Sequence, residues 1–367
     1  VDPSKDGAQL VYGLAKALTA KHLDKIRLQR KAQLWLDAPP DLPGQLYDAD
    51  QIGWQDLSDE EKLACPPLLV FSDETALGRQ GLAEFSSLLT SELPVKFVLL
   101  DSRNINEQSA EPALLAMAYQ SAFVLSSSLA YPEQFASGLD QALAFAGPSL
   151  VHIHVPVPSE DGYSQAKTIE RARLAVEARV HPLLTFDPSA DGTYGLRLSL
   201  EGNPSLTSDW GELNPLEWAL GEKRFAKDFS PVGDDDDAVS FEEYIELGPS
   251  ERVGKTIELE NPADGEKILA SSRLASEAAR RLLIWRTHQE IAGQTSPGVE
   301  RLRADVEKEI EAKQEEKVAA MQKDYEGQIA QLKGESDGKV VDQLRQRLLT
   351  LAGFGPASSE SKEDANE

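Results

Sequence analysis

Between residues 66 and 158, short runs of leucine, valine, isoleucine and phenylalanine alternate with stretches whose apolar residues recur every three or four positions. "PPLLVFS", "PVKFVLLDS", "AFVLSSSL" and "GPSLVHIHVPVP" read as strands, and "GLAEFSSLLTSE", "EPALLAMAYQS" and "PEQFASGLDQALAFA" read as the helices between them. Strands apolar on both faces and separated by helices predict an α/β fold, a doubly wound and mostly parallel sheet with right-handed crossovers and helices on both faces.

The flanks carry a different pattern. "GAQLVYGLAKALTAKHLDKIRLQRKAQLWL" keeps helical spacing until Pro39-Pro40 stops it. From about residue 270 the chain is helical and charged, and Val299, Leu302, Val306, Ile310, Val318, Met321, Tyr325, Ile329 and Leu332 form a narrow stripe broken once near Lys313 and Gln314. A stripe that thin on so polar a helix suits a coiled-coil seam or a strap across a partner better than a globular core. The expected organisation is an N-terminal helical segment and linker (1–64), the α/β domain (65–232), an acidic linker and irregular segment (233–268), a C-terminal helical or coiled-coil region (269–352) and a tail of disordered composition (353–367).

Composition narrows the function classes. A net charge of -25 argues against nucleic acid, which would meet like charge over most of the surface, so proteins or small molecules are the expected partners. No stretch approaches the ~20 apolar residues of a membrane helix, and "VDPSKDGAQL" lacks the basic start and apolar run of a signal peptide, so a cytoplasmic protein is expected. The opening Val1 fits either a processed chain or a segment of a longer one. Cys65 is the single cysteine, so this chain cannot by itself hold an iron–sulfur cluster, and Cys65 is expected as a small buried hydrophobe.

A resemblance rests on the order of several short motifs. Ser72-Asp73-Glu74, Gly81-Leu82, Asp101-Ser102, "LLAMAYQS", Gly147-Pro148-Ser149-Leu150, "ERARLAVEA", "HPLLTFDP" and "NPLEWALGEKRFAKDF" follow one another over residues 66 to 230. In that order they resemble the C-terminal thiamine diphosphate domain of pyruvate:ferredoxin oxidoreductase and its 2-oxoacid relatives. The resemblance implies that Asp73, the Ser102 hydroxyl and the Asn104 carbonyl occupy the places that hold Mg²⁺ on thiamine diphosphate, a hard-oxygen set suited to that ion.

The surroundings depart from that family, which has Gly-Asp-Gly at the first strand end and an Asn-Thr-Gly-Gly loop after the second. Here Ser72 and Glu74 replace the glycines and the loop reads "NINEQSAEP". Glu74 restricts the backbone and puts a negative charge near two phosphates, so the site is expected to be degenerate and to bind no cofactor. Asp73 and Ser102 then serve as helix or turn caps. The chain is expected to be a non-catalytic subunit, or segment, of a 2-oxoacid:ferredoxin oxidoreductase-like assembly, associating with iron–sulfur-containing subunits and through its coiled coil with itself. The alternative is an active subunit that holds thiamine diphosphate and Mg²⁺ for oxidative decarboxylation of a 2-oxoacid.

Other chemistry is weaker. His152 and His154 alternate in "LVHIHVPVP" and so share a strand face, where two histidines can hold a metal, but ordinary strand-end positions are the plainer assignment. His181 is expected to pack, and His22 and His288 to lie at a surface or interface. Four aspartates in "GDDDDAVSFEEY" lack the ligand spacing of an EF-hand, "GPSERVGKT" lacks the glycine spacing of a phosphate loop, and "SSSL" has no nucleophile elbow.

Overall fold

The computed structural model describes residues 7–73, 81–102, 111–232, 238–261 and 265–351. The chain divides into two compact units, Val1–Thr295 and Ser296–Glu367.

The first unit opens with α1 (Gly7–Asp37), α2 (Leu42–Gln51) and α3 (Asp59–Leu63). α1 ends where Ala38 turns left-handed (φ 43°) ahead of the two prolines, and Ser58 caps α3 by accepting from Glu61 N. The predicted alternation follows as β1 (Leu68–Asp73), α4 (Gly81–Leu89), β2 (Val95–Asp101), α5 (Pro112–Tyr119), β3 (Phe123–Ser128), α6 (Pro132–Ala144) and β4 (Ser149–His154). Next come α7 (Pro158–Asp161), α8 (Thr168–Glu177), β5 (Leu184–Phe186), β6 (Leu198–Ser199) and α9 (Pro215–Leu220). The sheet order is β1-β2-β4-β3-β5-β6, parallel through β1–β4 and antiparallel at β5 and β6.

This order decides which faces are covered. From β1 to β3 the chain moves one way across the sheet, then steps back to β4. Right-handed crossovers therefore put α4 and α5 on one face and α6 on the other. Phe85, Leu88 and Leu89 of α4 and Ala113, Ala116 and Met117 of α5 pack with Val95, Phe97, Leu99, Val124 and Leu150. On the opposite face α6 packs Ala142 and Phe135 against Phe123, Leu125, Val151 and Ile153. Gly138 allows that approach, since a Cβ there would stand 2.4 Å from Leu125 Cδ1. The helix does not reach β1 and β2, where Leu69 (51%), Phe71 (69%) and Leu100 (40%) are exposed on the α6 face. The sheet is thus parallel-rich, with the α4–α5 face more completely covered than the other.

The stretch expected as an acidic linker holds structure instead. β7 (Phe229–Pro231), β8 (Ala238–Val239), α10 (Phe241–Glu246), β9 (Thr256–Glu260) and β10 (Lys267–Ala270) form a second sheet, ordered β7-β10-β9-β8, with its short helix. The physical reason is alternation: Ile257 and Leu259 face inward between Thr256, Glu258 and Glu260, and they join Trp218, Phe225, Phe241 and Tyr244 in a second core. The four aspartates lie outside the described residues. α11 (Ser272–Ile291) closes that core with Leu274, Ala275, Ala278 and Leu282, and its Trp285 enters the first.

The second unit contains α12 (Pro297–Leu351), a 55-residue helix. Past Pro297 its described side chains are exposed, the stripe residues Val299, Leu302, Val306, Ile310, Val318, Met321 and Tyr325 among them. Among the described residues no helix is long and apolar enough to cross a membrane.

Candidate functional site

The carboxyl ends of β1, β2, β4 and β3 line up along one edge, where open parallel sheets place their ligands. Asp73 is the last residue of β1, exposed, and its strand neighbour in register is Leu100. Ser102 directly follows β2 and is half-buried, and its carbonyl accepts from Arg224 Nη1 at 3.1 Å. These two expected ligands therefore stand at the ends of adjacent parallel strands. Asn104, the third, lies outside the described residues, as do Glu74 and Arg103.

Arg224 was not legible as a site residue. It comes from the segment after α9 and pairs with Glu222 Oε2 at 2.6 Å and Asp161 Oδ1 at 3.1 Å. Arg171 on α8 also lies 3.3 Å from Glu222 Oε1. Burial, the largest effect, raises the Glu222 carboxyl above its usual range, although Arg224 pulls it down. Burial likewise raises the Tyr163 hydroxyl, which donates to Asp161 Oδ2 at 3.1 Å.

On the sheet face covered by α4 and α5, a second cluster lies just inside this edge. Register places His152 beside Leu99 on one side and Ser126 on the other, and places His154 beside Asp101. His152 Nε2 is 2.6 Å from Asp101 Oδ2, and His154 Nδ1 is 3.1 Å from the Asp101 carbonyl. His181 arrives from another direction. α8 unwinds through left-handed Arg179 (φ 57°), and the His181 amide donates to Ala175 O, which brings the ring onto the sheet. Its ring meets His152 edge-on at 4.8 Å between centroids and stacks on His154 at 5.4 Å. Ser126 Oγ donates to Pro182 O at 2.9 Å and lies 3.1 Å from His181 Nε2. A hydroxyl has one proton, so with it on Pro182 the Ser126 oxygen accepts from His181 Nε2–H. One ligand atom from each of Asp101, His152 and His181 lies within 4.8 Å of the others, and all three residues are buried.

The shared face of His152 and His154 follows from alternation, as expected. What the sequence did not disclose is the convergence of Asp101 and His181 on them, because 51 residues separate Asp101 from His152 and the path of His181 depends on the end of α8. Two expectations are corrected. His22 is buried and its Nε2 lies 2.7 Å from the Glu61 carbonyl, and His288 is buried on the inner side of α11. Both sit on helices whose charge masks the inward stripe. Cys65 is buried, which raises its thiol, as a small core residue would have it.

Comparison with known proteins points to one class, subunits of enzymes acting on 2-oxoacids. Over 140 residues the chain is 28% identical to the pyruvate synthase subunit PorB of Methanocaldococcus jannaschii, covering 37% of this chain and 46% of that protein. It is 38% identical over 64 residues to PorB of Methanothermobacter thermautotrophicus, or 17% of this chain and 22% of that one. It is also 32% identical over 84 residues to the ketoisovalerate oxidoreductase subunit VorB of Pyrococcus abyssi, or 23% and 26% of the two chains. The matched stretches span less than half the length of each of these relatives. No family model matches the chain.

Proposed function

We propose that this chain is a thiamine-domain-like subunit, or segment, of a 2-oxoacid:ferredoxin oxidoreductase-like assembly, and that it serves association rather than catalysis. The observation that carries this reading is the β1 end, which reads Ser72-Asp73-Glu74 where a diphosphate needs glycine on both sides of the aspartate. The charges at that edge support it. Arg224 and Arg171 are engaged by Asp161 and Glu222, so among the described residues these two cations are not available to offset a diphosphate facing Asp73. Repulsion between Glu74 and a phosphate at ~5 Å costs on the order of a few kcal/mol in a partly dry site, and ~3 kcal/mol exceeds a hundredfold in affinity. Leu69, Phe71 and Leu100 on the open sheet face and the stripe of α12 are the surfaces available for assembly, the stripe as a coiled coil or a strap.

A second reading is favoured by one specific observation, the placement of Asp73 and Ser102 at the ends of neighbouring parallel strands. In it they hold Mg²⁺ together with Asn104. Thiamine diphosphate bound there supplies the chemistry for oxidative decarboxylation of a 2-oxoacid, with electrons leaving to an iron–sulfur partner. Calorimetric titration of thiamine diphosphate with Mg²⁺ separates the two. The natural chain is expected to give no binding heat, while a Ser72→Gly, Glu74→Gly double variant gains measurable affinity. Micromolar binding by the natural chain, abolished in Asp73→Ala, would replace the first reading by the second.

A further inference from the structure

We propose that α12 pairs antiparallel with the α12 of a second copy, and that Tyr325 of both copies meets on the two-fold axis. The inference rests on the reading of α12 as a surface for association, and it names the partner and the register.

The observation is a mirror symmetry in the apolar stripe. Val299, Leu302, Val306 and Ile310 precede Tyr325 by the same steps by which Leu351, Leu348, Leu344 and Val340 follow it. Val318 and Met321 match Leu332 and Ile329 in the same way, and the polar interruption at Gln314 matches Ser336. Two such helices laid antiparallel about residue 325 set apolar positions against apolar ones along the stripe, and polar against polar at the breaks. The pair is then isologous, each copy using the same face. A parallel pair matches any stripe to itself, so the mirror pattern is a property that only the antiparallel pair uses. The middle of α12 (Pro297–Leu351) falls beside Tyr325, so this register overlaps the helices along nearly their whole length.

Exposure, size and charge agree. Leu302, Val306, Ile310, Val340, Leu344 and Leu348 are exposed in the single chain, and pairing removes them from water. Val306 falls opposite Leu344 and Ile310 opposite Val340, a larger side chain against a smaller one in each layer. Parallel pairing would put valine on valine and leucine on leucine. Residues 299–317 carry seven acidic and five basic side chains, whereas residues 339–351 carry three basic and one acidic. The antiparallel pair therefore brings the acidic start onto the basic end, and a parallel pair would bring like onto like. Val341 and Leu349 have no apolar mirror partner and broaden the face at its end. Steps of four outnumber steps of three along the stripe, so the pair follows the longer repeat that winds right-handed and not the heptad.

The test uses the full chain with Cys65→Ala, so that an introduced thiol is the only one. Leu302→Cys and Leu348→Cys are expressed separately and also together under different tags, then treated with a short bifunctional thiol reagent. The expected result is dimer mass by light scattering, no cross-linked dimer from either variant alone, and cross-linked dimer joining the two tags on co-expression. In the antiparallel pair residue 302 of one copy lies roughly 70 Å from residue 302 of the other, at 1.5 Å per residue. A charge exchange gives a second readout. Ile310→Lys should weaken the dimer by more than about tenfold, and Val340→Glu added to the same chain should restore much of the loss, since each lysine then faces the other copy's glutamate. An unchanged urea midpoint of the first unit shows that each variant is folded. Cross-linking of either variant with itself would overturn the proposal in favour of a parallel pair. A full chain of monomer mass would overturn it in favour of a different subunit as the partner. Both results leave the association reading standing, because that reading falls to the calorimetric titration and not to this one.

Discussion

Helices α11 and α12 follow one another in the chain and are both rich in charge, yet they sit in opposite environments. α11 buries Leu274, Ala275, Ala278, Arg281, Leu282, Trp285, His288 and Gln289, whereas the described side chains of α12 past Pro297 are exposed. The difference lies in the width of the inward face. In α11 adjacent pairs such as Leu274-Ala275 and Arg281-Leu282 broaden it, alanine lets the helix approach, and Trp285 fills the space beyond. In the part of α12 from Val299 to Tyr325, single residues spaced by three or four, such as Val299, Leu302 and Val306, make a line too narrow to join a core. Charge content does not separate α11 from this part of α12, but stripe width does.

The largest predicted effect tests this directly. Trp285 is fully buried, its Nε1–H donates to Ser208 O at 2.8 Å, and the Arg179 guanidinium lies 4.1 Å from its ring centroid. Trp285→Ala should destabilise the chain by about 3–5 kcal/mol in urea denaturation. Leu302→Ala on α12 should leave the midpoint of the same transition within error. Equal losses from both substitutions would break the contrast and show that α12 is packed.

The same distinction explains what the sequence discloses. β1 to β4 and the helices between them were legible because a parallel strand, apolar on both sides, is a strong signal, and because Pro112 and Pro132 mark helix starts. The second sheet was not. Its strands are short and half polar, and β9 shows inward residues only at Ile257 and Leu259. Of the candidate site, alternation gave the shared face of His152 and His154, and the family resemblance gave Asp73 and Ser102. Arg224 and His181 reach that edge from segments 122 and 55 residues away from their contacts, a convergence that only the folded chain creates.

Buried charge sharpens the comparison at an intermediate scale. Lys96, at the amino end of β2, spends its three protons on Phe145 O, Gly147 O and Ser149 Oγ, while Lys313 on α12 meets only the exposed Glu309. Burial pulls Lys96 from the ordinary lysine value down to about 8. Between those two values the unfolded chain binds the proton that the folded chain has released, so stability rises with pH across the window. The gain over a Lys96→Met variant should grow by on the order of 1–3 kcal/mol from pH 8 to pH 10. A flat profile would mean that Lys96 stays charged within the fold.

The smallest expected effect on stability belongs to removal of α12, and it has the largest consequence for association. A chain ended after Thr295 should keep the urea midpoint of the first unit, since α11 and both cores lie before that point. Its mass by light scattering should fall relative to the full chain when the stripe pairs with a second copy, which would cover the exposed Leu302, Val306 and Ile310. Equal subunit numbers for the full and shortened chains would rule out self-pairing and leave α12 as a strap for a different subunit. A lowered midpoint would do more, since it would show that a narrow stripe had been contributing to the fold and that its width is a poor guide to burial.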